Sequence, residues 1–201
     1  MTAVKSLLLW LLPLVLASMF ETPTAWAQEQ SVTPLTAKPV AVAPGPANRA
    51  LKPLEGSFDS VGTVFGGILA SDRPELTTAG VHECRFIASE LFLVCDIRDT
   101  VTSAGQSGTW VGHSIIGWDS ATKMYRGVVA DSNGPLRVLQ GRGDQQKLTL
   151  ESISSIVSRL PYKSRVTFDF RNTNEIHMTD ELRRGKKWVV LGMKVLKPRA
   201  Q

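Results

Sequence analysis

The sequence has little of what metal-dependent, nucleophilic and nucleotide-binding enzymes use. Its two cysteines and three histidines show neither the Cys-x-x-Cys nor the His-x-x-x-His spacing of common zinc sites. No Gly-x-Ser-x-Gly motif marks a nucleophile, because Gly105-Gln106-Ser107-Gly108 has the wrong spacing. The paired glycines lack the strand-to-helix setting of a phosphate-binding loop. These absences disfavour an enzyme without excluding one.

A strong excess of charge of one sign is also missing. The 23 lysines and arginines against 18 aspartates and glutamates give a net charge of +5, spread along the chain. The densest basic segment is Arg183-Arg184-Gly185-Lys186-Lys187, where a hairpin turn is expected. We interpret it as a solvated turn, with a docking patch for anionic surfaces as the alternative. No nucleic-acid-binding motif is present, so nucleic acid is not an expected partner.

A long hydrophobic run occurs only at the N-terminus, where it predicts a cleavable signal peptide. Lys5 precedes an almost unbroken apolar run over 6–20, and Ala25-Trp26-Ala27 fits the small-x-small cleavage rule, so Gln28 would begin the mature chain. An uncleaved membrane anchor is the alternative, but the run of about 15 residues is shorter than the ~20 that a spanning helix needs. We therefore expect a periplasmic or secreted protein that does not span the membrane and has lost residues 1–27.

The segment after the signal peptide looks like a spacer. Residues 28–52 are rich in proline and alanine and contain no aromatic residue, and Pro34, Pro39, Pro44 and Pro46 oppose a stable helix. This composition predicts a disordered, semi-extended tether. The pattern changes at Pro53, so we place the folded domain at 53–199.

The folded domain reads as about ten short strands separated by turn residues. Alternation is clear in several of them: Val166, Phe168 and Phe170 share one face, and 189, 191, 193 and 195 form the apolar face of the last run. A period of two with one buried face predicts antiparallel sheet. Short turns between consecutive strands predict an up-and-down meander that closes into a barrel and removes its edges. The predicted runs are Phe58–Phe65, His82–Ala88, Leu91–Arg98, Thr109–Trp118, Lys123–Asp131, Leu136–Gly141, Lys147–Ser152, Arg165–Phe170, Glu175–Glu181 and Lys187–Lys197.

The two cysteines fall in one predicted hairpin. A two-residue turn at Ser89-Glu90 places Cys84 directly opposite Cys95, where Cβ atoms lie close enough for a disulfide. Export to an oxidising compartment favours the bridge. Two separate buried thiols or weak metal ligands are the alternatives.

Several segments together resemble a known family, the bacterial domain-of-unknown-function family 1579. The resemblance covers most of Pro53–Lys197 and depends on the order and spacing of its pieces, and it implies a lipocalin-like (calycin-like) antiparallel barrel with no established activity. Gly192 departs from the family, which often carries a glutamate at this place in its last strand. The resembling pieces are Leu54-Glu55-Gly56-Ser57-Phe58, Cys84-Arg85-Phe86, Leu93-Val94-Cys95, Gly117-Trp118-Asp119, Lys123-Met124-Tyr125, Ala130-Asp131-Ser132-Asn133-Gly134, Gly141, Lys147-Leu148-Thr149-Leu150 and Lys187-Trp188.

A few residues are candidates for lining a ligand pocket. His113 is the best histidine candidate, since an inward histidine in such a barrel could hold haem or another ligand. Trp110, Trp118 and Tyr125 are large apolar side chains with polar tips, and Asp131 could accept hydrogen bonds at a barrel mouth. The alternative for all of them is ordinary packing or capping. No other cofactor is indicated.

Three functions remain open from the sequence. The leading hypothesis is that the barrel binds a small, largely apolar ligand. The second is an envelope interaction or structural module whose barrel is filled by side chains, and the third is a hydrolase or isomerase with a site at the barrel mouth. Oligomeric state and ligand identity are not encoded in any recognisable pattern.

Overall fold

The computed structural model describes residues 42–69, 74–132, 134, 136–154, 156–157, 160–161, 163–172 and 174–200. The predicted signal peptide and the first part of the predicted tether lie outside these residues. The helices are α1 (Pro46–Arg49), one 3-10 helix (Lys52–Leu54) and α2 (Gly66–Leu69). The strands are β1 (Gly56–Val64), β2 (Leu76–Ile87), β3 (Phe92–Ser103), β4 (Gln106–Asp119), β5 (Met124–Asp131), β6 (Leu136–Gly143), β7 (Lys147–Ser154), β8 (Ile156–Val157), β9 (Leu160–Pro161), β10 (Ser164–Asp169), β11 (Ile176–Arg184) and β12 (Lys187–Pro198).

Ten of these strands form a closed antiparallel barrel in the order β1-β12-β11-β10-β7-β6-β5-β4-β3-β2. Each strand pairs with its neighbours along the chain, and the barrel closes where β1 pairs with β12, from Phe58 opposite Pro198 to Val64 opposite Gly192. The short β8 and β9 pair with each other between β7 and β10. The predicted all-β, up-and-down barrel of about ten strands is confirmed, and closure leaves no long strand edge unpaired.

The cysteine hairpin has the predicted register. Cys84 lies opposite Cys95 at the junction of β2 and β3, and a disulfide joins them. Ser89 and Glu90 have φ angles of 56° and 65°. Positive φ at both central residues is typical of a type I′ turn, which matches the twist of paired strands. The predicted bridge is confirmed, and the turn forms although neither residue favours this backbone conformation.

One end of the barrel is covered by the segment that precedes β1. Because the strands alternate in direction, the start of β1 and the turn between β2 and β3 lie at the same end. There Tyr125 Oη donates a hydrogen bond to Ala47 O at 2.8 Å, and Asn48 Nδ2 donates to Leu91 O at 3.0 Å. We call this the helix-capped end and the other the far end.

This cap corrects the predicted domain boundary. The segment 46–52, assigned to the disordered tether, forms α1 and begins the 3-10 helix, and Leu51 is only 1% exposed. Pro46 does not prevent the helix because it stands at the first helical turn, where its missing N–H would have no helical partner. The folded domain therefore begins before Pro53.

The last strand presents a different face to the interior than its sequence pattern predicts. The predicted apolar face included Met193, but that side chain is 50% exposed, whereas Gly192 and Leu196 are buried. The β11–β12 register shifts between Asp180 and Glu181, so the alternation changes phase along β12. Lys194 consequently lies on the inner face.

The apolar core occupies the half of the barrel near the helix-capped end. It joins side chains of the cap to inward side chains of nearly every barrel strand, as the two-residue alternation requires. Its buried members are Leu51, Leu54, Phe58, Cys84, Leu93, Cys95, Ile116, Tyr125, Leu139, Leu148, Leu150, Phe170, Ile176 and Leu196.

Within the described part of the chain, no helix has the length and apolar character needed to cross a bilayer.

Candidate functional site

The other half of the barrel interior carries polar side chains. They lie on the same inner face of their strands as the buried apolar residues. Ser60 shares this face with Phe58, and Lys194 shares it with Leu196. Burying so many polar groups is unfavourable unless they are partnered, so their presence calls for an explanation. We call this group the interior polar cluster, and its members are Ser60, Thr78, His82, Asp99, Asp131, Arg137, Asp180 and Lys194.

Asp99 is the most deeply buried charge of the cluster, with 1% of its surface exposed. Ser60 Oγ donates a hydrogen bond to Asp99 Oδ1 at 2.9 Å, and Lys194 Nζ donates to Asp99 Oδ2. His82 Nε2 lies 3.8 Å from Oδ1, which is too long for a hydrogen bond. The negative charge of the Asp99 carboxylate is therefore balanced by the positive charge of Lys194, and the two side chains form a buried ion pair.

Two glycines make the contact between Asp99 and Lys194 possible. The strands β1 and β2 run between β3, which carries Asp99, and β12, which carries Lys194. A Cβ atom at Gly62 would lie 2.4 Å from Lys194 Cγ, and one at Gly80 would lie 2.4 Å from Asp99 Oδ1. The lysine reaches across β1 and β2 because both inner positions lack a side chain.

The cluster contains carboxyl groups with opposite protonation tendencies. Burial opposes ionisation of Asp99, but His82 and Lys194 outweigh it, and the pKa of Asp99 is lowered. At Asp180 burial dominates and raises the pKa, although the charges of Lys194, Arg137 and His82 act in the other direction. Inward side chains of β2, β6 and β12 therefore act electrostatically on this carboxyl group of β11.

A second ion pair lies on the neighbouring inner wall. Arg137 Nη2 donates to Asp131 Oδ2 at 3.0 Å, and the arginine keeps 27% of its side-chain surface accessible. Trp110 lies with its ring centroid 5.6 Å from Lys194 Nζ, and a Cβ atom at Gly112 would lie 2.4 Å from this ring. Gly112 thus leaves the space that the indole occupies beside the buried ammonium group.

Three buried polar atoms of the cluster have no hydrogen-bond partner within the described structure. They are Thr78 Oγ1, His82 Nε2 and Arg137 Nε. Native proteins leave few buried polar groups unpaired, and each costs roughly 1–3 kcal/mol. Their concentration in one region points to a molecule, water or ligand, that bonds to them.

The arrangement does not form a nucleophilic triad. Ser60 and His82 both approach the Asp99 carboxylate, whereas a serine nucleophile must contact its histidine base. Among the residues that the structure describes, no group of three or more His, Cys, Asp or Glu side chains could hold a metal ion. What the site offers chemically is hydrogen bonding and charge in a buried setting.

The aromatic and acidic residues predicted from the sequence divide between the two halves of the barrel. Tyr125 and Trp118 lie in the apolar half, with ring centroids 5.1 Å apart and the rings edge to face. Burial raises the pKa of Tyr125. Trp110 and Asp131 lie at the polar cluster instead. Trp110 and Asp131 thus belong to the candidate site, whereas Trp118 and Tyr125 support the core and the cap.

The expectation that His113 faces the barrel interior is wrong. Its side chain is 63% exposed on the outer face, where Nδ1 lies 2.7 Å from Asp96 Oδ1. Arg85 Nη1 donates to the same carboxylate at 2.8 Å, and hydrogen bonding from Arg85 and then His113 lowers the pKa of Asp96. The alternation on β4 puts Gly112 and Ser114 inward, so His113 must point out. It therefore does not reach a haem or other ligand held inside.

Sequence reasoning missed most of the interior polar cluster. The inward lysine was hidden by the apolar alternation around it, and His82 gave no sign of its burial. A usable signal was the set of glycines within strands, since glycine in a strand often marks a close approach. Gly192, one of these glycines, stands where the family often has a glutamate. It lies directly opposite Asp180, so the Asp180 side chain still brings a carboxyl group to this region.

A surface concavity of about 530 Å³ lies outside this region. It is lined by Asp169, Arg171, Asn172 and His177. Arg171 and Asp169 pair with each other there, and the bond from Arg171 lowers the pKa of Asp169 to about 2. These groups satisfy one another, so we place the candidate site at the interior polar cluster.

Comparison with known proteins gives one family and some similar solved structures. The sequence matches the family described as "Protein of unknown function (DUF1579)" over residues 43–193. No curated protein matches the chain. Similar solved structures include EF1p2_mFAP2b bound to DFHBI, with 10% identity and a TM-score of 0.43, covering 76% of this chain and 99% of that chain. Another is a redesigned beta barrel, mFAP1, bound to DFHBI, with 13% identity and a TM-score of 0.41, covering 74% of this chain and 98% of that chain. Because the family match spans most of the sequence, this ten-stranded barrel protein belongs to the family DUF1579.

Proposed function

We propose that this protein is exported and binds a small, largely apolar molecule inside its barrel. The observation that carries the proposal is the interior polar cluster with its three unpartnered buried atoms. A barrel interior that only stabilised the fold would be filled with apolar side chains, because unpaired buried polar groups destabilise it. A few convergent polar groups in an apolar enclosure are typical of small-molecule sites.

The apolar part of the proposed ligand follows from the walls around the cluster. Val129, Val166 and Phe168 lie opposite the buried residues Ser114, Leu150 and Leu148 on neighbouring strands and so face inward, yet they are only partly buried. Inward side chains that keep accessible surface support the proposal, because an apolar ligand could bury that surface. A ten-stranded barrel has room for one small ligand, since eight strands already suffice.

Binding is tested by native mass spectrometry of the protein purified without denaturation, and by titration with 1-anilinonaphthalene-8-sulfonate. We expect a co-purified small molecule or a saturable rise in probe fluorescence. Val129→Phe should reduce probe binding because the side chain enters the interior. Val128→Phe, one residue away on the outer face and 39% exposed in the native protein, is the matched control.

The outcome of this pair decides between interior and surface binding. The outer wall also exposes apolar side chains, including Ile115 and Val128, so a surface probe site is the competing explanation. Equal probe binding by both variants, with no co-purified molecule, would contradict the proposal. Thermal unfolding of each variant checks that the fold is retained, and native mass spectrometry reports on the ligand independently of the probe.

Export is tested on the full chain. Expressed with its own N-terminus in a Gram-negative host, the protein should appear in the periplasmic fraction with Gln28 as its first residue. Ala27→Leu should block cleavage, because the small residue at that position is required for processing. A protein that retains Met1 and stays in the cytoplasm would contradict the export proposal and leave the binding proposal to its own test.

A further inference from the structure

The turn between β11 and β12 concentrates positive charge at the far end of the barrel. Arg183, Lys186 and Lys187 are exposed there, and Gly185 turns the chain with a φ of 59°. Lys163 joins them from a separate part of the chain, since Arg183 N donates a hydrogen bond to Lys163 O at 2.8 Å. We call the side chains of Lys163, Arg183, Lys186 and Lys187 the basic tip.

Acidic side chains do not neutralise the basic tip. The carboxylate closest to it in sequence is Glu181, and both of its oxygens accept hydrogen bonds from Arg165. Within the part of the chain that the structure describes, no side chain of the basic tip forms an ion pair. The positive charges of the tip therefore remain available to an external anionic group.

The helix-capped end differs, because its cations lie next to acids. The pairs there are Lys52 with Glu55, Arg126 with Asp119, Arg171 with Asp169 and Arg199 with Asp59. These pairs balance the described charges at that end. Unbalanced positive charge is therefore concentrated at the far end, where the strand order places the basic tip.

The far end also exposes apolar side chains close to the basic tip. Ile153 is 47% exposed near the end of β7, beside the start of β10, which Lys163 precedes. Leu136 is 62% exposed at the first residue of β6. Trp188 is partly buried and lies opposite Arg183. Basic residues beside exposed apolar side chains and a tryptophan are typical of surfaces that bind at a membrane interface.

We propose that the far end docks on the surface of an anionic phospholipid bilayer, with the basic tip against the phosphate groups and Leu136 and Ile153 in the interface. Clusters of about four or more lysines and arginines bind such surfaces, and the attraction acts within a Debye length. The apolar side chains strengthen the contact by leaving water. An exported protein meets such bilayers in the cell envelope, but the docking does not depend on a ligand inside the barrel.

Vesicle co-sedimentation of the purified full chain tests the contact. At about 0.05 M sodium chloride the protein should bind vesicles that contain phosphatidylglycerol and phosphatidylcholine in equal parts, and about 0.5 M salt should release it. Vesicles of phosphatidylcholine alone should bind far less protein. They also report any contact by the apolar run over 6–20, since that contact would not require lipid charge.

A matched pair of double variants assigns the attraction to the basic tip. Lys186→Gln combined with Lys187→Gln should weaken binding about 25-fold, or about fivefold for each cation, a ratio that corresponds to about 1 kcal/mol. Lys123→Gln combined with Lys197→Gln changes the net charge equally at exposed positions of the helix-capped end. This control should weaken binding by less than about twofold, because these charges stay beyond a Debye length of the bilayer.

A second pair of variants tests the apolar part of the contact. Leu136→Ser should weaken binding several-fold, because a polar side chain would replace the leucine at the interface. Ile115→Ser is the matched control, since Ile115 is 45% exposed but lies on the outer wall away from the far end. This control should leave vesicle binding unchanged.

The inference has several ways to fail. Equal losses in the two lysine pairs would overturn it, because the attraction would then follow net charge alone. Equal binding to neutral vesicles, or equal effects of the two serine variants, would overturn it as well. No binding to any vesicle would also overturn it and leave an acidic protein as the partner of the basic tip. Binding of 1-anilinonaphthalene-8-sulfonate should be unchanged in every lysine variant, so failure here leaves the proposed ligand binding standing.

Discussion

Replacing Lys194 with methionine removes the charge that balances Asp99 and keeps most of the side chain's length. Asp99 is almost completely buried, and Lys194 Nζ is its direct cationic partner. Removing one member of a buried ion pair typically destabilises a protein by about 3–5 kcal/mol, because the other charge stays buried and unpaired. In a domain of this size about 1 kcal/mol lowers Tm by about 2–4 °C. We therefore expect Tm to fall by about 6–20 °C.

The measurements are thermal unfolding, which gives Tm, and urea unfolding, which gives the free energy of unfolding, both at pH 7 without reductant and followed by far-UV circular dichroism. Lys197→Met is the matched control, because Lys197 lies on the same strand, is 69% exposed and reaches Glu175 only at 4.0 Å. Exposed pairs of this kind contribute about 0–1 kcal/mol. The double variant Asp99→Asn with Lys194→Met should recover much of the loss. If Lys194→Met costs no more than Lys197→Met, the reasoning about the buried pair is refuted.

Three further predictions follow from the same interior. Gly80→Ala should lower the free energy of unfolding by about 1–3 kcal/mol, because its Cβ atom would lie 2.1 Å from a backbone oxygen. The control Gly108→Ala should be nearly neutral, because its Cβ atom would meet no atom within 4 Å. Equal urea midpoints for the two variants would contradict this prediction. Asp180→Asn should stabilise the protein at pH 7, and this gain should shrink as pH falls towards about 4. The pKa of the Asp180 carboxyl is raised in the folded state, so its contribution favours folding below the unfolded pKa and is lost as pH rises through the folded pKa. A gain that does not change with pH would argue against burial as the cause. Replacing both Cys84 and Cys95 with alanine should cost about 3 kcal/mol in the loop-entropy account of a short disulfide loop, and unchanged urea unfolding would show that the bridge adds no stability.

The fold was predictable because its causes are local. Alternating apolar residues set the strands, and turn residues such as Ser132 and the Arg184-Gly185 pair separate them. The hairpin register from Ile87 opposite Phe92 to Cys84 opposite Cys95 followed from one turn position. Register in a hairpin is fixed by its turn, so a correct turn gives every pair after it.

The candidate site was less predictable because its members come from different strands. Asp99 and Lys194 are 95 residues apart in the chain, and their contact depends on barrel closure between β1 and β12. The bulge opposite Asp180 reverses the phase of alternation in β12, which no period-two reading of that strand reveals. His113 illustrates the converse error, since we expected it to face the interior as a ligand-binding histidine and the phase of its strand does not allow this.

The amino-acid sequence by itself determined the strands, the antiparallel pairing of strands that follow one another and the Cys84–Cys95 pairing, because each depends on residues of one strand or of one hairpin. The tertiary structure alone decided which polar side chains meet inside. Closing the barrel brings β3 and β12 within one side chain's reach of each other across the bare positions Gly62 and Gly80. Charge pairing across the interior depends on barrel closure and on which side chains of each strand face inward. Neither can be predicted from a single segment of the sequence.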